Sequence, residues 1–283
     1  MRWIEWESEN GRVIRMSGIP YLLASLNDTL GADAQIVKAP GQDGATTYGV
    51  TLGQPVVNIM GTVNVTGQTP DDVTAALERA EDELKRAFMP NRFGTLIDHR
   101  FSGDRQIRCR PLAKPVMGRR LGNCRTFDIE LVADMPLWES VLETTEELGQ
   151  ERGRFRFPLR LPTKMGLYRK NAVIDNGSGE DIHPVIEIFT TSAFISVSNE
   201  THGQWIQVNR PIEQGQKMII DMRNTRAERW MLGENNDWEF VDDVSHWVDG
   251  EYWTLRPGIN LVTLNNERQG DTVIALLRFR VPM

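Results

Sequence analysis

The sequence predicts a mainly β protein of two domains: an N-terminal β-domain of barrel or split-barrel type that carries one α-helix, and a C-terminal β-sandwich. Three observations predict it. Apolar residues alternate with period two along most of the chain, a single stretch at residues 70–88 has helical period, and both patterns lapse between residues 134 and 166. A length of 283 residues also fits two cores better than one.

In the first half, Val57, Ile59, Gly61, Val63 and Val65 alternate with Asn58, Met60, Thr62 and Asn64, as expected of a strand with one face on a core. Phe127, Ile129 and Leu131 repeat the pattern against Asp128 and Glu130. Between them lies the helix. Thr69 can cap it, Pro70 suits its first turn, and Asp71 and Asp72 complement its dipole. Val73, Leu77, Ala80, Leu84 and Phe88 make its apolar stripe, and Pro90 with Asn91 stops it. On its charged face Glu78 opposes Asp82, whereas Glu81 attracts Lys85. One amphipathic helix among strands is expected to lie against a sheet or barrel.

The stretch from Asp134 to Gly166 is charged, then rich in Pro, Arg and Gly, and reads as a linker or crossover. The domains are accordingly placed at 1–145 and 146–283. In the second half Phe194–Ser198, Trp205–Asn209, Lys217–Met222, Ile259–Leu264 and Thr272–Val281 are short β-rich runs separated by turn residues, the pattern of a sandwich or jelly roll. Period alone leaves open whether the last run, 272–281, returns to the N-terminal domain.

Composition excludes several functions. No run approaches the roughly 18 apolar residues of a membrane helix, and the charged N-terminus MRWIEWESENGR does not read as a secretory signal. The expectation is a chain folded in a cytoplasm. Cys109 and Cys124 are too few for a disulfide framework or a zinc site and read as reduced thiols. A net charge of -7 argues against a phosphate-tracking surface, although Arg105, Arg108, Arg110, Arg119, Arg120 and Arg125 could form a local basic patch.

Chemistry-bearing motifs are sparse. His99, His183, His202 and His246 lack metalloprotease spacing, and no nucleophile elbow, P-loop or dinucleotide fingerprint occurs. The expectation is no enzyme, no catalytic residue, no metal and no cofactor. Glu234, Asp237, Glu239, Asp242, Asp243 and Asp249 could supply a glycosidase carboxylate pair, but a solvated acidic loop explains them more simply. Trp230, Trp238, Trp247 and Trp253 fall close together beside Tyr252 and form either a carbohydrate or partner platform or the buried anchors of a sandwich.

Several segments in a fixed order resemble the distal tail proteins of siphophages: APGQDGATTYGVTLGQPVVNIMGTV (39–63), the helix after Thr69 and Pro70, RTFDIELVADMPLWES (125–140), AVIDNGSGEDIHPVIEIF (172–189), GQKMIIDMRNTR (215–226) and YWTLRPGINLVTL (252–264). The resemblance implies a non-enzymatic virion protein of the tail tip or baseplate, assembled in the bacterial cytoplasm. It implies a homo-hexameric ring built by the N-terminal β-domain and a galectin-like C-terminal sandwich. The implied partners are the tail tube protein, the tail-associated lysin or baseplate hub protein, and a receptor-binding protein or cell-wall glycan, with DNA passing through the lumen without specific binding. The alternative is a lectin-like tail module that attaches to host cell-wall glycans. A ring needs two unlike patches per subunit. The strand Val56–Thr66, with Val57, Ile59, Val63 and Val65, is the candidate edge for that interface, and Arg108 and Arg110 are expected on the outside or in salt bridges between subunits.

Overall fold

The computed structural model describes residues 2–41, 43–152, 167–189, 194–266 and 273–283. The chain divides between Val141 and Leu142 into two units, with Met283 joining the first. The sequence pattern places this boundary after residue 145.

The first unit contains β1 (Trp3–Ser8), β2 (Val13–Met16), β3 (Tyr21–Thr29), β4 (Ala32–Val37), β5 (Thr46–Leu52), β6 (Val56–Asn64), α1 (Pro70–Ala87), β7 (Gly94–His99), β8 (Arg105–Pro111), β9 (Val116–Leu121), β10 (Cys124–Ala133) and β11 (Glu139–Ser140). Nine of the strands form one sheet in the order β2-β1-β7-β8-β10-β6-β3, with β11 added to β8 and β9 to β10; among the described residues β4 and β5 pair only with each other. Alternate side chains from this sheet, Ile4, Trp6, Ile59, Leu96, Ile129 and Leu131 among them, bury into one core.

The helix stops one residue short of the expected range, at Ala87, with Phe88 as its C-cap. Its N-terminus carries a full capping box, Thr69 accepting from the Asp72 N–H and Asp72 accepting from the Thr69 N–H. Leu77, Ala80, Leu84 and Ala87 face the sheet. Two polar anchors fix the helix in place. The Trp6 indole donates to the Ala87 carbonyl at 3.1 Å, and the Tyr21 hydroxyl lies 2.7 Å from the Glu83 carboxylate and 2.9 Å from the Ala80 carbonyl. Burial, and then the neighbouring carboxylate, push the Tyr21 phenol well above its usual range, so it stays a hydrogen-bond donor.

A second polar hub ties β7 to β8 and the N-terminus. Asp98 is fully buried and accepts from Arg2 at 2.8 and 2.9 Å, from Arg100 at 2.5 Å and from Arg105 at 3.1 Å. Arg105 also lies 4.0 Å from the Trp138 ring. A carboxylate taken out of water is stable only with partners of this kind.

The second unit contains β12 (Thr144–Arg152), β13 (Leu167–Lys170), β14 (Ala172–Asn176), β15 (Val185–Phe189), β16 (Ile195–Asn199), β17 (Gln204–Val208), β18 (Gln216–Asp221), β19 (Arg226–Leu232), β20 (Trp238–Asp243), β21 (Val248–Gly250), β22 (Gly258–Asn266) and β23 (Val273–Phe279). They form a seven-stranded sheet, β13-β12-β23-β15-β18-β19-β20, and a five-stranded one, β14-β22-β16-β17-β21. Their inward residues, including Ile186, Ile188, Met218, Ile220, Val197, Val262, Leu264 and Trp253, share one apolar cluster.

One reading of the sequence needs correction here, and one alternative it left open is decided. The stretch read as a linker or crossover contains β12, hidden because only one of its nine residues, Leu148, is apolar, and that one enters the core. The last run does not return to the first unit: β23 pairs with β12 on one side and β15 on the other.

Candidate functional site

Among the described residues no group of three or more His, Cys, Asp or Glu could hold a metal ion, and no helix is long and apolar enough to cross a membrane. The first unit has two exposed apolar features.

The hairpin of β4 and β5 is exposed along its whole length. Its register runs from Ala32 opposite Leu52 to Val37 opposite Thr46, and its tip carries Pro40, Gly41, Asp43 and Gly44. Gly41 and Gly44 have φ of 79° and 88°, angles that glycine adopts without strain. Ile36, Val37, Tyr48, Val50 and Leu52 stand in solvent, Tyr48 at 72% exposure. A lone two-stranded hairpin is marginal in water without an apolar face to rest on, and isolated exposed edges invite pairing. The second feature is an apolar groove of about 350 Å³ lined by Ala24, Met60, Thr62, Val116, Gly118 and Phe127 among others. Beside it β9 exposes Val116 and Leu121, both at 64%.

The strand expected to offer a free edge is interior to its sheet. The strand from Val56 is β6, hydrogen-bonded to β10 on one side and β3 on the other, so it has no free edge. Val57, Ile59, Val63 and Val65 are core residues at 0 to 5% exposure. Alternation correctly showed one buried face, but the covering surface is the chain's own core. The basic patch is also dispersed. Arg105 serves Asp98, Arg125 holds Glu81 at 2.9 and 3.0 Å, and exposed Arg108 and Arg110 lie 5.0 and 5.9 Å from the Phe93 ring.

The four tryptophans of the second unit do not form one platform. Trp253 is buried in the core and Trp247 packs against it, while Arg229 and Arg210 lie 5.2 and 5.4 Å from the Trp247 ring. Trp230 and Trp238 instead sit on the outer face of the seven-stranded sheet. Trp230 is opposite Lys217 and Phe240, and Trp238 is opposite Leu232, whereas Met218, Ile220 and Ala227 point to the core. The acidic stretch is mostly the β19–β20 hairpin rather than a loop. In it Asp242 pairs with Arg229 at 2.8 Å and Asp243 with Arg226 at 2.9 Å. Ser245, donating through both its hydroxyl and its N–H, and then Arg226 hold the Asp243 carboxyl down to about 2. These two carboxylates are held in cross-strand ion pairs.

The thiols differ. Cys109 is buried, and burial raises its pKa far above the usual thiol range, which leaves it unreactive; Cys124 is half-buried on β10.

No protein-family model matches the sequence, and no curated protein matches it. Solved structures do. SPP1 Dit (gp 19.1), described as a paradigm of the hub adsorption apparatus in phages infecting Gram-positive hosts, superposes with a TM-score of 0.65 at 12% identity, covering 100% of this chain and 99% of that one. A chain of the phage P2 baseplate in its activated conformation with calcium, and one of the phage p2 baseplate with strontium, each give a TM-score of 0.54 at 11% identity, with 99% of this chain and 98% of theirs covered. The fold is that of phage hub proteins. The hub fold thus extends over both units at an identity too low for individual side chains to be carried across. The exposed β4–β5 hairpin and the outward indoles are therefore read from this chain's own residues.

Proposed function

We propose that the chain is a structural, non-enzymatic protein of a phage tail tip, a distal tail protein in the virion that forms a hexameric ring through its N-terminal unit. The ring joins the tail tube protein to the baseplate hub or tail-associated lysin protein and offers the second unit to receptor-binding proteins. The observation that carries this reading is the β4–β5 hairpin, exposed over its full length and with no covering element among the described residues. A closed ring of identical subunits needs two unlike patches on each. The apolar hairpin and the apolar groove beside β9 supply such a pair, one protruding and one receiving. The fold shared with phage hub proteins over both units supports the same reading, and the net charge of -7 suits a lumen through which DNA passes without being held.

Light scattering on the purified chain tests it. The expected mass is six times the 32.2 kDa subunit, and Val50→Asp should return it to one. A chain that stays monomeric at high concentration and is absent from tails would overturn the reading. A second, lectin-like role for the C-terminal unit is favoured by one separate observation, the outward placement of Trp230 and Trp238.

A further inference from the structure

The outer face of the seven-stranded sheet carries Phe189, Trp230, Leu232, Trp238 and Phe240, none of which belongs to the buried cluster between the two sheets. Leu232 and Phe240 are 40% and 48% exposed. The rings are held in place. The Trp230 indole donates to Glu228 at 3.0 Å and meets Phe240 edge-on, at 5.8 Å and 77°. Trp238 meets Phe189 at 6.0 Å and 64° and lies 4.6 Å from the Lys217 ammonium. Lys217 is only 9% exposed and pairs with Glu187 at 3.6 Å. Trp230 and Trp238 are half-buried, and the Lys217 ammonium rests against the Trp238 ring. Charged groups border the rings: Arg226 with Glu228 at 3.0 Å on one side, Glu187 with Lys217 and Arg278 on the other.

We infer that this face is a saccharide platform for a β-linked chain of hexopyranoses whose ring substituents are all equatorial. Such sugars present axial C–H groups on both ring faces, a flat apolar surface that stacks on an indole, while their equatorial hydroxyls point outward to carboxylates and cations at the rim. An axial hydroxyl would interrupt that surface. Pre-held rings reduce the ordering cost of binding. Fixed aromatic faces with charged borders favour a saccharide over a protein, which would need the rim charges desolvated and matched. The inference rests on the lectin-like role of this unit and specifies its site and its sugar class.

The test is titration of the full chain, followed by tryptophan fluorescence, with cellohexaose, with chitohexaose, and with an α-linked glucan and a poly(glycerol phosphate) as contrasts. The first two should bind saturably, Trp238→Ala should weaken them about tenfold or more, and Trp205→Ala, an indole 45% exposed on the other sheet, should leave them unchanged. Leu232→Arg, at the exposed rim, provides a blocking variant should Trp238→Ala fail to fold. Absence of binding by both β-linked chains at about 10 mM, weaker than the range a few ring contacts supply, overturns the inference. So does binding that Trp238→Ala and Leu232→Arg leave intact. Binding of only the contrast polymers sinks this site and sugar class but keeps the lectin role, whereas silence of all four removes both. If sugars are silent but Leu232→Arg blocks incorporation into tails, the face is a protein dock and the inference fails. None of these outcomes alters the mass that tests the ring.

Discussion

Strands β5 and β6 are neighbours in sequence and both alternate apolar with polar residues, yet they end in opposite surroundings. In β6, Val57 and Ile59 are fully buried and both edges are paired. In β5, Tyr48, Val50 and Leu52 are exposed and a single edge is paired, to β4. Period-two alternation shows that one face wants cover. It does not show whether the cover comes from the same chain or from another.

The contrast can be tested by substitution. Ile59→Ala should cost the folded chain about 3 kcal/mol, as buried aliphatic truncations do, while Val50→Ala should leave the monomer within about 0.5 kcal/mol of wild type. Denaturant unfolding compares the two, and equal losses would erase the distinction. Gly61→Ala probes how tightly β6 is enclosed. A methyl there would lie 2.3 Å from Phe127 Cζ and 2.6 Å from the Leu22 carbonyl oxygen, so a loss of about 2 kcal/mol is expected from overpacking. Tyr21→Phe, on β3 beside β6, removes the link to Glu83 and Ala80, and should cost about 1 kcal/mol in the same assay. The smallest effect lies on the second unit's hairpin. The Asp243 carboxyl is held down to about 2 from an ordinary 3.8. A depressed acid contributes stability above its unfolded value and loses it as pH falls through the folded one. Asp243→Asn should therefore flatten the stability profile between pH 3.8 and 2, and an unchanged acid limb would discount the Ser245 and Arg226 contacts.

Much of this fold is written locally. The capping box at Thr69, the helical stripe to Phe88 and the alternation through Ile59 and Ile129 each depend on residues a few positions apart. What could not be read depends on distant partners. The edge or centre position of β6 is set by β3 and β10, and β10 follows it by some sixty residues. The strand β12 shows no period of two because Leu148 is its one apolar residue. The tryptophan cluster was visible, but its division was not. Pairing of β19 with β18 sets the side of Trp230, pairing of β20 with β19 across a register shift sets that of Trp238, and Trp253 lies beyond the hairpin, in the core.

The place of β23 sets an order of events during synthesis. It lies between β12 and β15, yet it follows every other strand of its sheet in sequence. The first unit can close around its own core once residues up to Val141 have left the ribosome. The second must keep β12 and β15 waiting with open edges until Val273–Phe279 arrives. Truncation anywhere before Val273 would leave that gap permanent, turning the second unit into a source of aggregation while the first stays intact.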